Sequence, residues 1–177
     1  MNRNKEKNPI KITEDLINIV NKAYFEWKAL NNTLKVYATR GINFPETISE
    51  PMACYCLDLL WNIGASSSGD ATNRNGHKIE IKATSNFYSD LTSFGPHCDF
   101  HNLIFLRLDY ENDIVYIYDT QIDAEKLKIF SVNKISTVGD FQKVGKRPRF
   151  SVIKNIIEKE DLKPVCIYDL KNKIIKY

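Results

Sequence analysis

Hydrophobic and polar residues recur along the chain with two periods, and these periods predict both helices and strands. Starting at Thr13, a residue type that often caps helices, apolar residues recur at the spacing of one helix face. This face packs either on the core of its own chain or on a second subunit, and we favour the core because one sheet surface is enough to cover it. The apolar residues of this face are Leu16, Ile17, Val20, Ala23, Tyr24, Trp27 and Leu30.

A second helix is predicted to begin near Pro51, because proline is well accepted in the first turn of a helix. In that position Glu50 is an acid that faces the positive end of the helix dipole. The apolar residues of this helix are Met52, Tyr55, Cys56, Leu59 and Leu60.

The second half of the chain is richer in strands. A nearly continuous apolar run from Leu103 to Leu108 predicts a central strand that is covered on both faces, and a turn at residues 111–113 predicts a hairpin with the next strand. The order of elements predicts an α+β (or α/β) fold with a mixed sheet flanked by helices. The other predicted elements are a strand at 113–118, a short helix at 121–128, a helix capped by Ser151 that runs to about Lys159, and late strands at 164–169 and 173–176.

Residues 77–83 alternate polar and apolar side chains, which is the pattern of a half-buried strand. Ile79 and Ile81 point to one face, and Glu80 and Lys82 share the other. A carboxylate and an ammonium are therefore neighbours on one face of the predicted sheet.

The preceding Asn-Gly pair predicts a hairpin, and the length of its loop decides what lies opposite Glu80. A three-residue loop at 74–76, with Gly76 in the left-handed region, places Asp70 opposite Glu80. A two-residue loop would place Ala71 there and turn Asp70 to the other face, because a slip of one residue inverts a strand.

In the three-residue register, Asp70 and Glu80 would repel each other unless a divalent cation lay between them. Ligands that are all oxygen favour a hard ion such as Mg²⁺, which proteins usually hold with one or two carboxylates and a substrate phosphate. The pattern therefore indicates a phosphodiesterase site; the alternative is an exposed, salt-bridged hairpin.

Asp70 followed by Glu80-Ile81-Lys82 resembles the PD-(D/E)XK nuclease superfamily, with Gly69 at the position that is proline in the name. The resemblance takes in most of residues 45–155. Within the superfamily the chain looks most like the small Type II restriction endonucleases, in particular those that cut the palindrome GCNGC.

This resemblance implies a restriction-endonuclease-like core and an Mg²⁺ ion held by Asp70, Glu80 and the carbonyl of Ile81. Lys82 would act beside the attacking water, and the products would carry 5′-phosphates. Glu50 gains a second interpretation here, since a helix glutamate before the hairpin often approaches the metal in this superfamily. The resemblance further implies double-stranded DNA as substrate, a two-fold homodimer that cuts both strands, and a methyltransferase in the host.

Acid-x-lysine triplets also occur at residues 26–28, 161–163 and 169–171, as expected in a chain with 27% charged residues. None of these three follows a Gly-Asp pair and a hairpin turn. The context therefore favours residues 80–82 as the site.

Two segments are expected to contact DNA. The loop at 85–101 is rich in hydroxyl and histidine side chains, and residues 143–149 carry four cations in seven residues, a group that suits phosphate or guanine. The predicted DNA-contacting residues are Lys78, Thr92, Ser93, His97, Lys143, Lys146, Arg147 and Arg149.

Length and composition limit the number of domains, the partners and the cellular compartment that we expect. At 177 residues and 43% hydrophobic, we expect one nuclease domain over residues 1–177, with residues 1–9 a flexible arm. A net charge of +3 does not by itself imply nucleic acid. With neither a long apolar run nor a secretion signal, we expect a soluble cytoplasmic protein with no membrane partner.

The four cysteines should be reduced thiols. A zinc site from Cys54, Cys56, Cys98 and His101 stays open, although its spacing matches no recurring zinc module.

Two other functions compete with restriction. One is a junction-resolving or repair nuclease of the same fold, which would prefer branched or damaged DNA. The other is a non-catalytic DNA-binding protein, which would bind without metal and release no products.

Overall fold

The computed structural model describes residues 9–64 and 69–177. The expected flexible arm lies outside these residues except for Pro9, and so do residues 65–68 of the segment that leads into the hairpin. In the described ranges, no helix is both long and apolar enough to cross a membrane.

The chain forms five helices and ten strands within these ranges. The helices are α1 (Glu14–Lys35), α2 (Glu46–Leu57), α3 (Ala124–Leu127), α4 (Val138–Lys143) and α5 (Ile153–Ile157), the last with π-helical turns. The strands are β1 (Ile10–Lys11), β2 (Leu60–Trp61), β3 (Ala71–Thr72), β4 (Lys78–Thr84), β5 (Thr92–Ser93), β6 (Asn102–Asp109), β7 (Ile114–Asp119), β8 (Arg149–Phe150), β9 (Cys166–Asp169) and β10 (Ile174–Lys176).

Eight of the strands form one mixed sheet in the order β1-β2-β3-β4-β6-β7-β9-β10. Neighbouring strands are antiparallel except for β4 and β6, which run parallel. Strands β5 and β8 form a separate antiparallel ribbon. The predicted α+β fold with a mixed sheet flanked by helices is therefore confirmed, as is the β6–β7 hairpin.

Helix α1 packs on the sheet, which confirms the core interpretation. Thr13 caps it as predicted, because its side chain accepts a hydrogen bond from Leu16 N. The buried stripe includes Ile17, Val20, Tyr24 and Trp27. The predicted stripe was wrong at Leu30, which is 51% exposed, because the buried face continues through Asn31 instead.

The central strand β6 has a core on each face, as predicted. Ile104, Leu106 and Leu108 point to the side of α1 and α2. Leu103 and Phe105 point to the opposite side, where they pack with the apolar side chains of α3, α4 and α5. Burial on both sides fixes β6, and with it the parallel neighbour β4.

Helix α2 begins earlier than predicted, at Glu46, with Pro45 at the N-cap. Pro51 lies inside the helix and not in its first turn. The helix tolerates it there because a proline this near the start removes only one intrahelical hydrogen bond, the one to the carbonyl of Thr47. Glu50 is consequently not the acid of the first turn, and Glu46 takes that place.

Two later helices are shorter than predicted. Helix α3 begins only at Ala124 because Asp123 caps it, accepting a hydrogen bond from Lys126 N. Helix α5 ends at Ile157, and Ser151 does accept a hydrogen bond from Lys154 N. Of the late strands, β10 lies at the sheet edge and β9 lies inside.

A buried carboxylate ties α1 to the β6–β7 turn. Asp113 is 3% exposed in its side chain and has a positive φ of 58°. Its Oδ1 atom accepts hydrogen bonds from Tyr24 Oη at 2.6 Å and Lys28 Nζ at 2.5 Å, and Lys171 Nζ lies 3.0 Å from Oδ2. These bonds replace the water that a buried carboxylate loses.

Candidate active site and DNA cleft

The hairpin has the three-residue register. Thr72 pairs with Lys78 and Ala71 with Ile79, so that the same register places Asp70 opposite Glu80. The loop comprises residues 74–76, and Gly76 has a φ of +76°. The predicted register and the left-handed glycine are both confirmed.

Glycine is needed at residue 69, the position that is proline in the PD-(D/E)XK pattern that the sequence resembles. Its φ is +73°, which proline cannot adopt because its ring fixes φ near −65°. A Cβ atom on this residue would lie 2.9 Å from the carbonyl oxygen of Ile79, the same oxygen that accepts a hydrogen bond from Asp70 N at 2.9 Å. The backbone of Gly69 thus passes tightly over β4 just before Asp70.

Three oxygens surround the ammonium group of Lys82. Lys82 Nζ lies 2.6 Å from Glu80 Oε1 and 3.6 Å from Asp70 Oδ2, and it donates a hydrogen bond to the carbonyl of Ile81 at 3.3 Å. Asp70 Oδ2 also accepts a hydrogen bond from Ile81 N at 2.7 Å, which fixes the carboxylate against β4. These are the three residues that the sequence predicted as metal ligands, and they converge on one cation.

Burial and the nearby opposite charges have opposing effects on the pKa values of Glu80 and Lys82. Burial raises the pKa of Glu80, although the neighbouring Lys82 charge lowers it. Burial also lowers the pKa of Lys82, but the charges of Glu80 and Asp70 outweigh that effect and raise it above its ordinary value. The lysine is therefore a cation that balances two half-buried carboxylates.

The same oxygens suit a divalent cation. Carboxylate and carbonyl oxygens are the hard ligands that Mg²⁺ prefers. Across residues 9–64 and 69–177, no three His, Cys, Asp or Glu side chains cluster closely enough to hold a metal. An ion here would take Asp70, Glu80 and Ile81 O as its protein ligands and complete its shell with water or substrate.

The zinc alternative is wrong because its cysteines are separated by the sheet. Cys54 and Cys56 are buried residues of α2 in the core that this helix shares with α1. Cys98 packs against the opposite core, where its sulfur accepts a hydrogen bond from Gln142 Nε2. The four cysteines are free thiols, as predicted.

Glu50 lies beside this site but is already engaged. One of its oxygens accepts a hydrogen bond from Trp61 Nε1 at 2.8 Å. Burial raises the pKa of Glu50 to about 7, and the charge of Asp70 adds to the rise. Glu50 is therefore close enough for the charge of Asp70 to affect its pKa, and its carboxyl is partly protonated near pH 7.

A cleft of about 380 Å³ opens beside Lys82. Three of the predicted DNA-contacting residues lie in its wall, namely Thr92, Ser93 and Arg147. Its other lining residues are Asn43, Phe44, Glu46, Ser49, Ile81, Ala83, Thr84, Ser85, Asp90 and Leu91. Two predicted segments that are distant in sequence thus meet next to the candidate catalytic group.

The other predicted contacts lie outside the set that lines the cleft. Lys78 Nζ forms an ion pair with Asp99 at 2.5 Å, and Lys143 lies 3.8 Å from Asp140. The exposed residues His97, Lys146 and Arg149 are also outside that set.

Sequence reasoning missed two acidic residues of the cleft, Glu46 and Asp90. Glu46 could have been found from Pro45, which suits an N-cap region and would have moved the helix start forward. Asp90 had no local signal, because three of its four hydrogen-bond partners are 61–63 residues away.

The fold, a mixed sheet flanked by helices, is of the restriction-endonuclease-like class. A family profile, that of the Bsp6I restriction endonuclease, matches residues 12–159. The chain is also 47% identical over 167 residues to the Type II restriction enzyme Bsp6I of Bacillus sp. (strain RFL6), an alignment that covers 94% of this chain and 95% of the relative. The chain therefore belongs to the Bsp6I restriction endonuclease family and is a restriction endonuclease.

Proposed function

We propose that the chain is a Type II, Mg²⁺-dependent deoxyribonuclease of the PD-(D/E)XK type, which cuts double-stranded DNA at a short sequence and leaves 5′-phosphates. The observation that carries this proposal is the convergence of Asp70, Glu80 and the Ile81 carbonyl on Lys82 Nζ, at the wall of a cleft with a basic side chain. The proposal includes a single nuclease domain over residues 1–177.

In this proposal Asp70, Glu80 and Ile81 O would hold the metal ion. Bound Mg²⁺ would supply Lewis-acid stabilisation of negative charge on the scissile phosphate. Lys82 orients the attacking water and stabilises the developing charge through its ammonium group. Its position between two carboxylates supports this role, because they keep the side chain charged and aimed.

Glu50 belongs to the catalytic surroundings as a third carboxylate. Its bond to Trp61 holds it in place beside the site, and a bound metal ion would favour the charged form of this carboxyl, whose pKa burial raises to about 7. Glu46, one turn earlier on α2, extends this acidic side of the cleft.

The DNA backbone follows the opposite wall of the cleft. Arg147 takes part in no ion pair between described residues, so its guanidinium is available to a phosphate. The Ser93 hydroxyl donates to a neighbouring phosphate oxygen, and Thr92, whose hydroxyl hydrogen goes to Asp90 Oδ2, lines the same wall. Further contacts come from Lys78, His97, Lys143, Lys146 and Arg149, and they make the binding constant fall steeply with salt.

The palindrome GCNGC, which the sequence resemblance implies, is the proposed recognition sequence. A palindrome has two equivalent strands and each chain has one site, so a two-fold homodimer is the proposed assembly. A methyltransferase that modifies the same sequence would protect host DNA in the cytoplasm, where the enzyme acts.

The proposal is tested by cleavage of unmethylated bacteriophage DNA with Mg²⁺, compared for the wild type, Glu80→Gln and Asp70→Asn. Asparagine at position 70 keeps an acceptor for Ile81 N, so any loss of activity is not a loss of this bond. The matched control is Asp161→Asn, because Asp161 and Lys163 form an ion pair of 2.6 Å in the same acid-x-lysine pattern at the surface.

We expect discrete fragments from the wild type and from Asp161→Asn, and none from the two site variants. Sequencing of the fragment ends gives the site, and ligation of the fragments without prior phosphorylation shows whether a 5′-phosphate remains. Cleavage by Glu80→Gln at the wild-type rate would refute the assigned site. Cleavage of branched but not linear DNA would instead favour a structure-specific nuclease, and metal-independent binding without products would favour a DNA-binding protein.

A further inference from the structure

Asp90 is a carboxylate in the wall of a cleft that is proposed to hold a polyanion, where an unpaired negative charge would repel the substrate. All of its described bonds run to the protein. Its Oδ1 atom accepts hydrogen bonds from Ser151 Oγ at 2.6 Å and Ile153 N at 3.0 Å, and Oδ2 accepts from Thr92 Oγ1 at 2.6 Å and Val152 N at 2.9 Å. Four donors and the start of a helix offset its charge.

These donors belong to two segments that also pair as strands. Ser93 of β5 lies opposite Arg149 of β8, and Phe94 N donates a hydrogen bond to the carbonyl of Pro148 at 3.2 Å. Arg147 lies two residues before β8 and lines the cleft. A ribbon of two-residue strands has little stability of its own, so it needs another tie.

We propose that Asp90 is a positioning residue that holds Thr92 and Ser93 together with Arg147 as one rigid DNA-binding wall. The inference rests on the proposed function, because it assigns this wall to DNA. Capping of α5 alone does not account for the contacts of Asp90, since the Thr92 hydroxyl lies in the cleft and belongs to no helix.

The test is Asp90→Asn, which keeps the shape of the side chain. In either orientation its amide N–H donors face one hydroxyl, which can turn and accept, and one backbone N–H, whose hydrogen bond is lost. We measure the Kd for a duplex that carries the cleavage sequence in EDTA, its dependence on salt, and the single-turnover cleavage rate at saturating protein with Mg²⁺.

We expect Asp90→Asn to raise the Kd about tenfold and to lower the slope of log Kd against log salt by about one, as on the loss of one phosphate contact. The cleavage rate at saturation should change less than about twofold, because the carboxylate pair and Lys82 are untouched. In an Arg147→Ala background the effect of Asp90→Asn on the Kd should largely disappear, since the contact through which it acts is gone.

The matched control is Asp123→Asn, another aspartate that accepts a backbone N–H at a helix start but faces no part of the cleft. It should leave the Kd and the salt slope unchanged. If Asp90→Asn does not fold, Ser151→Ala removes one donor and keeps the carboxylate, and a threefold rise in Kd with a lower salt slope is expected.

An unchanged Kd and salt slope in folded Asp90→Asn, or in Ser151→Ala where that variant replaces it, would reduce Asp90 to a helix cap. Additive effects with Arg147→Ala would also overturn the inference. Failure of the wild type to bind or cut DNA would refute the proposed function itself, and that outcome is distinct from both.

Discussion

Replacement of Gly69 by alanine is the sharpest test of how the backbone places Asp70. At a φ of +73° an L-residue is strained, and the new Cβ would lie 2.9 Å from Ile79 O, a backbone atom that cannot rotate away. This oxygen also accepts the hydrogen bond of Asp70 N. The substitution therefore has to move either the strand or the carboxylate of Asp70, the candidate catalytic group.

The chain offers a matched control at Gly76, whose φ is +76° and whose Cβ would meet nothing within 4 Å. Left-handed backbone costs an L-residue about 1–2 kcal/mol, which both variants share. Overpacking against fixed atoms costs about 1–3 kcal/mol more, and only Gly69→Ala has this contribution. We expect a loss of free energy of unfolding of about 3 kcal/mol for Gly69→Ala and about 1 kcal/mol for Gly76→Ala.

Activity should separate the two variants further. A shift of about 1 Å in a reacting group can cost about 100-fold in rate, so single-turnover cleavage by Gly69→Ala should fall by this order while Gly76→Ala stays near wild type. Urea unfolding and cleavage at saturating protein measure the two effects. Equal stability and equal cleavage in both variants would refute the assignment of Gly69 as the residue that fixes the position of Asp70.

The remaining predictions concern charge and metal. Asp113→Asn should cost about 2 kcal/mol at pH 7, because Tyr24 and Lys28 lose a charged acceptor. Burial opposes ionisation of Asp113, but the hydrogen bonds from Lys28 and Tyr24 outweigh it and lower the pKa of this carboxyl. Its contribution to stability is therefore present above about pH 4 and lost below. A difference in urea unfolding between wild type and Asp113→Asn that does not depend on pH would contradict this. Because burial raises the pKa of Glu50 to about 7, the folded state loses stability as the pH rises from about 4.5, where the unfolded chain ionises, to about 7, and the loss is complete above that pH. Glu50→Gln keeps an acceptor for Trp61 and should raise the Tm at pH 8 but not below about pH 4.5, and a lower Tm at pH 8 would count against it. EDTA in excess should stop cleavage and added Mg²⁺ should restore it, whereas cleavage that continues in EDTA would rule out the metal.

Much of the fold near the site follows from local sequence signals. The alternation at residues 77–83 fixes which side chains of β4 face the core, and Gly76 fixes the hairpin loop and hence the register. Thr13 marks the start of α1, and the apolar run marks β6. In each case the determining contacts lie within a few residues of one another, so periodicity and turn chemistry are sufficient.

The features that sequence reasoning missed depend on contacts between distant segments. Pro51 suggested a helix start, but packing of α2 against the sheet keeps a proline in the helix interior. The parallel neighbours β4 and β6 are joined by residues 85–101, which contain only the short strand β5 where such crossovers usually contain a helix. That segment became a wall of the cleft through Asp90, whose partners beyond Thr92 no local pattern identifies.

Two acid-x-lysine triplets of the chain can be compared directly. The surroundings of the charged pair, and not the distance between its two charges, identify the candidate site. Glu80 and Lys82 lie 2.6 Å apart, and so do Asp161 and Lys163. The first pair is 17% and 21% exposed, whereas the second is 86% and 76% exposed. An exposed pair contributes little and needs no explanation, but half-buried charges cost desolvation free energy unless further partners offset it. At residues 80–82 those partners are a second carboxylate and a carbonyl on the same cation, and it is this additional oxygen set that distinguishes a candidate metal site from a surface ion pair.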